Sequence, residues 1–276
     1  MRVIAEVGCN HQADMSKATM MIASAARAGA YMVKFQKRTN RILLTPEEYN
    51  APHPNPKNSY GATYGEHREF LEFNQDQHYA LKKACESHGV EYCSSVWDWK
   101  SALEIKQIGP NHIKIPSACN MVEGIYKQLE GFKGMLHVSM GMTEMKDFST
   151  IKNLLERHRL TNTVIYACTS GYPVRPDETF LYEIGKLRCS FLGYTIGFSG
   201  HHEGIILDLG ALSLGAEYLE RHYTFDKNAK GTDHCASLVE EELTELCKNI
   251  KDLDAALRYK HEMPEVEKVQ YRKLKK

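Results

Sequence analysis

The 276-residue chain has no net charge: 35 lysines and arginines balance 35 aspartates and glutamates. That balance gives no global pull toward nucleic acid or an anionic membrane surface, and neither partner is expected. No apolar run is long enough to span a bilayer, and no leader-like stretch precedes the first strand-like run, Arg2–Val7. The eight cysteines form no C-x-x-C pair and no finger-like spacing, which removes the common zinc and dithiol motifs. Cys93, Cys168 and Cys189 lie inside apolar runs, as reduced core cysteines do, so a cytoplasmic, reducing compartment is the expectation. There is no P-loop and no G-x-G-x-x-G, so a nucleotide is not implied. Low-complexity segments and internal repeats are absent.

What remains is an ordinary folded globule, 42% hydrophobic and 25% charged. Strand-like runs alternate with helical patterns from end to end: Arg2–Gly8, Tyr31–Gln36, Glu91–Ser95, His112–Ile115, Met135–Ser139, Thr163–Cys168, Gly193–Phe198 and Glu217–His222. After the first, Asp14 or Ser16 can cap a helix whose stripe is Ala18, Met21, Ile22 and Ala25, with Gly29 ending it. Ser237 with Glu240 fits a capping box before a last helix lined by Leu243, Leu246, Ile250 and Leu253. Eight β/α units in this length predict an α/β fold of the (β/α)8 TIM-barrel class, a single domain over residues 1–262. A doubly wound open sheet is the alternative. Residues 263–276 read as a short basic tail in solvent. Lys37 to Asn74 is too long for an ordinary βα loop and rich in Pro, Asn, Tyr and Gly, so it reads as a lid or binding loop after strand 2, with an ordered rim decoration as the plainer reading.

In such barrels the chemistry sits at the C-terminal ends of the strands. Those ends bring together Glu6 and Asn10, Lys34 and Gln36, Ser95, Lys114 and Ser117, Ser139, Ser170 and Tyr172, Ser199 and His201, and His222 with Asp233 beyond it. Lys34 and Lys114 interrupt apolar strands, and a lysine is rarely buried unless paired. With the serines they predict a cationic, donor-rich pocket for a phosphate or carboxylate. His201 and His222 end neighbouring strands and can share one metal ion. Any one of thirteen histidines is more often structural, and a salt-bridged structural lysine is as common as a functional one.

The motifs in order resemble the sialic acid synthases, the family that includes the legionaminic and pseudaminic acid synthases. The resemblance covers nearly the whole chain. It rests on E-x-G-x-N-H (Glu6 to His11), V-K-F-Q (Val33–Gln36), S-S-V-W-D (Ser94–Asp98), K-I-P-S (Lys114–Ser117), S-M-G-M (Ser139–Met142), C-T-S-G-Y-P (Cys168–Pro173), G-F-S-G-H (Gly197–His201), R-H-Y-T-F-D (Arg221–Asp226) and G-T-D-H-x-x-S-L (Gly231–Leu238). It implies condensation of phosphoenolpyruvate with an open-chain aldose, typically an N-acylated hexosamine, to a 3-deoxy-2-ulosonic acid and phosphate. It implies His201 and His222 as ligands of a divalent metal, usually Mn, with Mg, Co or Zn as alternatives. It implies Lys34, Ser95, Lys114, Ser117, Ser170 and Ser199 around phosphoenolpyruvate, and Glu6, Tyr172 and Asp233 around the sugar and metal. Asn10, Gln36, Cys119 and Ser139 are further sugar-side candidates.

Three departures qualify it. Cys119 stands where the family usually has a carboxylate. Gly200 replaces the usual Asp before the metal histidine, so His202, Glu203 or water is expected to support His201. The family's C-terminal antifreeze-like domain has no counterpart before Lys276. The sugar and the assembly state, with a homodimer as one arrangement, are therefore open, and the Lys37–Asn74 loop is expected to take part of the lid role. Two other readings stand beside the synthase: an aldolase using Lys34 or Lys114 as a Schiff base, and a lapsed barrel that only binds an acidic sugar.

Overall fold

The computed structural model describes all 276 residues. Eight parallel strands close edge to edge in chain order: β1 (Arg2–Gly8), β2 (Met32–Lys37), β3 (Glu91–Val96), β4 (His112–Ile115), β5 (Met135–Ser139), β6 (Thr163–Cys168), β7 (Thr195–Gly200) and β8 (Tyr218–His222). One main helix follows each strand, and the set ends with Ile206–Ser213 after β7 and Glu240–Ala256 after β8. The expected (β/α)8 barrel is the fold.

The strands are apolar on both faces because both are covered. Their outward residues pack with the helices into one core of 49 buried residues. The lumen side holds a small plug of Ile4, Met32, Cys93, Val164, Tyr166 and Tyr218. Strand residues alternate in facing, so two positions further along the same strands Glu6, Lys34, Ser95 and Glu220 also face the lumen. The barrel interior thus changes from apolar to charged within one step of the pleat, at the C-terminal end.

Local sequence explains most helix ends. Asp14 caps Met15–Arg27 by accepting from the backbone N–H groups of Ser16 and Lys17, and its stripe is buried as the spacing predicts. The expected box between Ser237 and Glu240 does not form. The last helix starts at Glu240, the Glu242 carboxylate accepts from the Val239 N–H at 3.1 Å, and the Ser237 hydroxyl donates to the Asp233 carbonyl. β7 lies two residues later than its sequence pattern suggested, because Gly193 turns the chain in the left-handed region (φ +87°) before it. Within residues 263–276, Glu265–Leu274 forms a helix with no buried residue.

The Lys37–Asn74 segment is ordered on the rim. It contains the short helices Asn40–Leu43, Pro46–Asn50 and Tyr64–Phe70, the last held by a reciprocal cap between Thr63 and Glu66. Tyr60 stacks on Phe70 with rings 5.0 Å apart, and its hydroxyl donates to the Lys230 carbonyl at 2.7 Å. The segment is thereby fastened to the loop beyond β8.

Candidate active site

The strand register sets Glu6 of β1 beside Lys34 of β2 and His222 of β8. These side chains open into a cavity of about 310 Å³ at the C-terminal rim, which Ser95, Lys114, Ser117, Ser139, Ser170, Tyr172, Ser199, His201 and Glu220 also line. The structure therefore gathers both lysines, both histidines and every serine singled out in the sequence.

Four charges form its floor. Lys34 Nζ lies 2.6 Å from Glu6 Oε2 and 3.7 Å from Glu220 Oε2, and it donates to Ser95 Oγ at 2.8 Å. Lys114 Nζ lies 2.5 Å from Glu220 Oε1 and 4.6 Å from the centre of the Tyr166 ring. Ser199 Oγ donates to the same Glu220 oxygen at 3.1 Å. Burial alone would raise the Glu220 carboxyl, but Lys114 and Lys34 outweigh it and hold it well below the usual carboxylate range. Burial raises Glu6 further than Lys34 lowers it. Burial works against the Lys34 ammonium, yet Glu220 and Glu6 raise its pKa overall.

Above this floor two hydroxyls converge. A side chain at Gly141 would place its Cβ 2.4 Å from Ser170 Oγ and 2.7 Å from Ser117 Oγ. Only a glycine lets both donors share that wall. Ser139 is buried with its hydroxyl unpartnered.

The His201 and His222 rings are 5.5 Å apart, centre to centre. Tyr172 packs against both, 4.3 Å from His201 and 5.6 Å from His222. Burial, and then proximity to His222, lower the His201 pKa to about 3, so the ring is neutral at ordinary pH. Its Nδ1 pairs with the Thr169 carbonyl at 2.9 Å, which makes Nδ1 the donor and leaves the Nε2 lone pair free. The expected support from His202 or Glu203 is not there. His202 turns away to Arg221 and Asp208, and Glu203 is exposed. Space explains this: a Cβ at Gly200 would lie 2.8 Å from His202 Cε1, so the His202 ring fills the room a residue-200 side chain would need.

The sugar-side candidates divide. Gln36 Nε2 donates to Glu6 Oε1 at 3.1 Å and lines the cavity. Asn10 and Asp233 line a second cavity next door. Asn10 spends its amide on the Tyr223 carbonyl and Ser237 Oγ, and Asp233 Oδ2 lies 4.0 Å from His222 Nδ1. Cys119 lines neither cavity; its thiol donates to the Trp97 carbonyl at 3.0 Å. Sequence reading passed over Glu220, although a glutamate two places before His222 in an apolar strand was signal enough by alternation. It also passed over Arg38, Arg68 and Lys230 of the second cavity, which no strand pattern could place.

A closed α/β barrel with a cavity of paired lysines and glutamates, ringed by hydroxyls, and two imidazoles at its C-terminal rim defines the class. The chain belongs to the NeuB family, whose model matches residues 21–262. It is 35% identical over 248 residues to the N-acetylneuraminate-9-phosphate synthase of Drosophila melanogaster, spanning 88% of this chain and 65% of that protein. The human protein of the same name is 34% identical, over 92% of this chain and 70% of its own length. The Bacillus subtilis spore coat polysaccharide biosynthesis protein SpsE has a solved structure with TM-score 0.78 at 27% identity, covering 93% of this chain and 68% of that one. The Leptospira borgpetersenii N-acetylneuraminic acid synthetase shares the fold with TM-score 0.81 at 24% identity, over 99% of this chain and 91% of that one. No helix is long and apolar enough to cross a membrane.

Proposed function

We propose that this barrel is a phosphoenolpyruvate-dependent synthase that joins the enol ester to an open-chain aldose, giving a 3-deoxy-2-ulosonic acid and phosphate. The observation that carries the reading is the single rim cavity shared by Lys34, Lys114, four serines that face them, and the His201–His222 pair. The names of the relatives favour an N-acylated hexosamine as the aldose.

The side chains fit the parts of such a reaction. Lys34 and Lys114 supply charge for the phosphate and carboxylate, and Ser95, Ser117, Ser170 and Ser199 supply donors that fix the enol face toward the aldehyde. The enol carbon attacks the aldehyde carbon, and the aldehyde oxygen gains a proton to become the new alcohol. Water adds to the former enol-ether carbon, and the resulting tetrahedral centre expels phosphate. Glu6, with its raised pKa and its place beside His222, is suited to hand over and take back those protons.

The imidazoles fit a divalent ion. His201 presents a neutral ring with a fixed tautomer, His222 Nδ1 is buried without a partner, and rings sharing an ion at about 2.1 Å per nitrogen have centres about 5 Å apart. No third His, Cys, Asp or Glu completes a preformed cluster, so water and substrate oxygen would fill the other positions. Such an ion would supply Lewis acidity to the aldehyde oxygen; nitrogen and oxygen donors accept manganese, magnesium, cobalt or zinc, and manganese is the one that the family resemblance implies.

The Schiff-base alternative has less support. A Schiff-base lysine needs a lowered pKa, and both lysines are paired with carboxylates, Lys34 with its pKa raised. The test is phosphate release from phosphoenolpyruvate with a panel of aldoses, with mass analysis of the product. Release with at least one aldose and a product mass equal to aldose plus pyruvate are expected. No release with any aldose, or a borohydride-trapped adduct on Lys34 or Lys114, overturns the proposal.

A further inference from the structure

The lumen of a barrel of this class is packed mainly with branched aliphatic side chains. Directly beneath the charged floor, this chain has a row of polar rings instead. His112 of β4, His137 of β5 and Tyr166 of β6 come together there, and the strand register sets His137 beside Lys114 and Tyr166 beside Gly197. The Tyr166 hydroxyl meets His137 Nδ1 at 2.8 Å, and His137 Nε2 meets His112 Nδ1 at 3.0 Å. All three residues are buried.

One placement of the hydrogens satisfies the whole row. The phenol hydrogen has His137 Nδ1 as its acceptor. His137 then carries its own hydrogen on Nε2 and donates to His112 Nδ1. Burial, then His112 and Lys114, keep the His137 ring neutral. Burial, then Glu220, raise the Tyr166 pKa well above its ordinary value, so the hydroxyl keeps its hydrogen. The ring is thus anchored at its hydroxyl end. Its edge is fixed by space: a Cβ at Gly197 would lie 2.5 Å from Tyr166 Cε1, so β7 admits the ring only because residue 197 is glycine.

The anchored ring presents its face to Lys114, whose ammonium stands 4.6 Å from the ring centre. At that distance a ring face attracts a cation. Lys114 has one carboxylate partner, Glu220, which also serves Lys34 and Ser199. A second carboxylate in place of the ring would cancel the charge that an incoming anion needs. An aliphatic side chain there would leave the buried ammonium without attraction on that side. A ring face draws the cation toward itself and leaves the charge in place.

We propose that Tyr166 is a positioning residue: its ring face, held by His137 and His112, keeps the Lys114 ammonium at the floor of the cavity, where it takes the anionic end of phosphoenolpyruvate. The proposal rests on the synthase reading. Without the ring the ammonium settles on Glu220 alone, and an anion has to draw it back.

The test is calorimetric titration of the full chain, with manganese present, by phosphoenolpyruvate and separately by inorganic phosphate. Tyr166→Leu removes the face and should weaken both anions by about three- to thirtyfold, the range of a ring–cation attraction. Tyr166→Phe keeps the face and should stay within about threefold of the wild type. It strands His137 Nδ1, so its Tm should fall even though its anion affinity is kept; a merely structural tyrosine would not separate the two. Trifluorophenylalanine at position 166 keeps the shape of the Tyr166→Phe side chain but drains the ring face, and so keeps the test open if Tyr166→Leu does not fold. It should bind both anions more weakly than Tyr166→Phe at a similar Tm, and its manganese affinity should be unchanged. Equal anion affinity with the fluorinated and plain rings overturns the proposal, as does a Tyr166→Phe variant that loses affinity as far as Tyr166→Leu. If inorganic phosphate binds and follows the series while phosphoenolpyruvate does not bind, the synthase reading fails and the role of the ring stands. If phosphoenolpyruvate binds equally across the series, the role of the ring fails alone. A wild-type protein that binds neither anion overturns both.

Discussion

Glu220 Oε1 sits 2.5 Å from Lys114 Nζ at the bottom of a cavity whose other features suit an anion. Glu220 also reaches toward Lys34 and accepts from Ser199, so one carboxylate holds three donors of the cavity in place. Together with Glu6 it makes the floor neutral: two lysines, two glutamates.

Glu220→Gln leaves Lys34 with Glu6 alone and Lys114 without its carboxylate partner. Removing one partner of a buried ion pair costs about 3–5 kcal/mol, which for a chain of this size corresponds to a Tm lower by on the order of 10 °C. The surplus positive charge makes the variant respond more strongly to anions, so inorganic phosphate should raise its Tm further than it raises that of the wild type. Thermal unfolding with and without phosphate checks both parts. Equal melting temperatures for variant and wild type would show that the carboxylate is not holding the lysines.

The paired imidazoles give a second prediction. Loss of a group that merely supports a ligand lowers metal affinity about 10–100-fold, so His201→Ala and His222→Ala should each weaken Mn²⁺ by about 100-fold or more. Chelation with EDTA should abolish condensation, and added Mn²⁺ should restore it. Electron paramagnetic resonance of free Mn²⁺ during titration reads the affinity directly. Stoichiometric manganese in either variant removes that histidine from the ligand set.

Much of this was visible before any coordinates. Every strand carried an apolar run bounded by turn residues, and four of the eight, β1 and β4 to β6, have the bounds the pattern predicts. The rim residues followed from them, because the ends of parallel strands share one edge. What the sequence hid has a common cause. Glu220 was masked by the louder Arg221–His222 pair beside it, and alternation was the only clue to its facing. Arg68 sits in a loop helix whose docking on the rim depends on Tyr60, Phe70 and Lys230 across 170 residues of chain, a contact no local pattern records. Cys119 occupies a position that resemblance made chemical, yet its thiol serves the Trp97 carbonyl instead.

Gly200 follows the same logic of space. Its Cβ position is 2.8 Å from His202 Cε1 and 2.9 Å from both His202 Nδ1 and Phe198 Cε1, while His202 is held by Arg221, whose Nη2 donates to the His202 carbonyl. Gly200→Ala therefore forces the clamp to shift, and overpacking of this kind costs about 1–3 kcal/mol. Gly200→Asp adds a buried charge and should cost more. Because the clamp carries the turn that follows His201, manganese affinity should fall in both variants alongside stability. Denaturant unfolding and a manganese titration measure the two effects; an alanine variant of unchanged stability refutes the steric account.

The buried histidines set the pH dependence. Burial lowers His11, His78 and His201 to about 3 each, and lowers His137 well below its ordinary value. In the unfolded chain each reverts to about 6.5. A lowered folded pKa means that the unfolded state binds more protons once the pH drops below 6.5, so stability is full above that value and declines steadily down to about 3. At pH 5.5 each histidine forfeits about 1.4 kcal/mol, and the four together on the order of 5 kcal/mol. That is a large share of the net stability of an ordinary domain. The lowered Glu220 carboxyl acts in the same direction, but only below its own unfolded value of 4.5. Urea unfolding in EDTA at pH 7.5 and pH 5.5 should therefore differ by several kcal/mol, with more than four protons taken up on unfolding near pH 5, since burial also lowers His67 and His112 to about 4 and His234 below its ordinary value. A stability that stays level across that interval would mean these rings take up protons in the folded protein, and His201 would then be unfit to offer a lone pair at the rim.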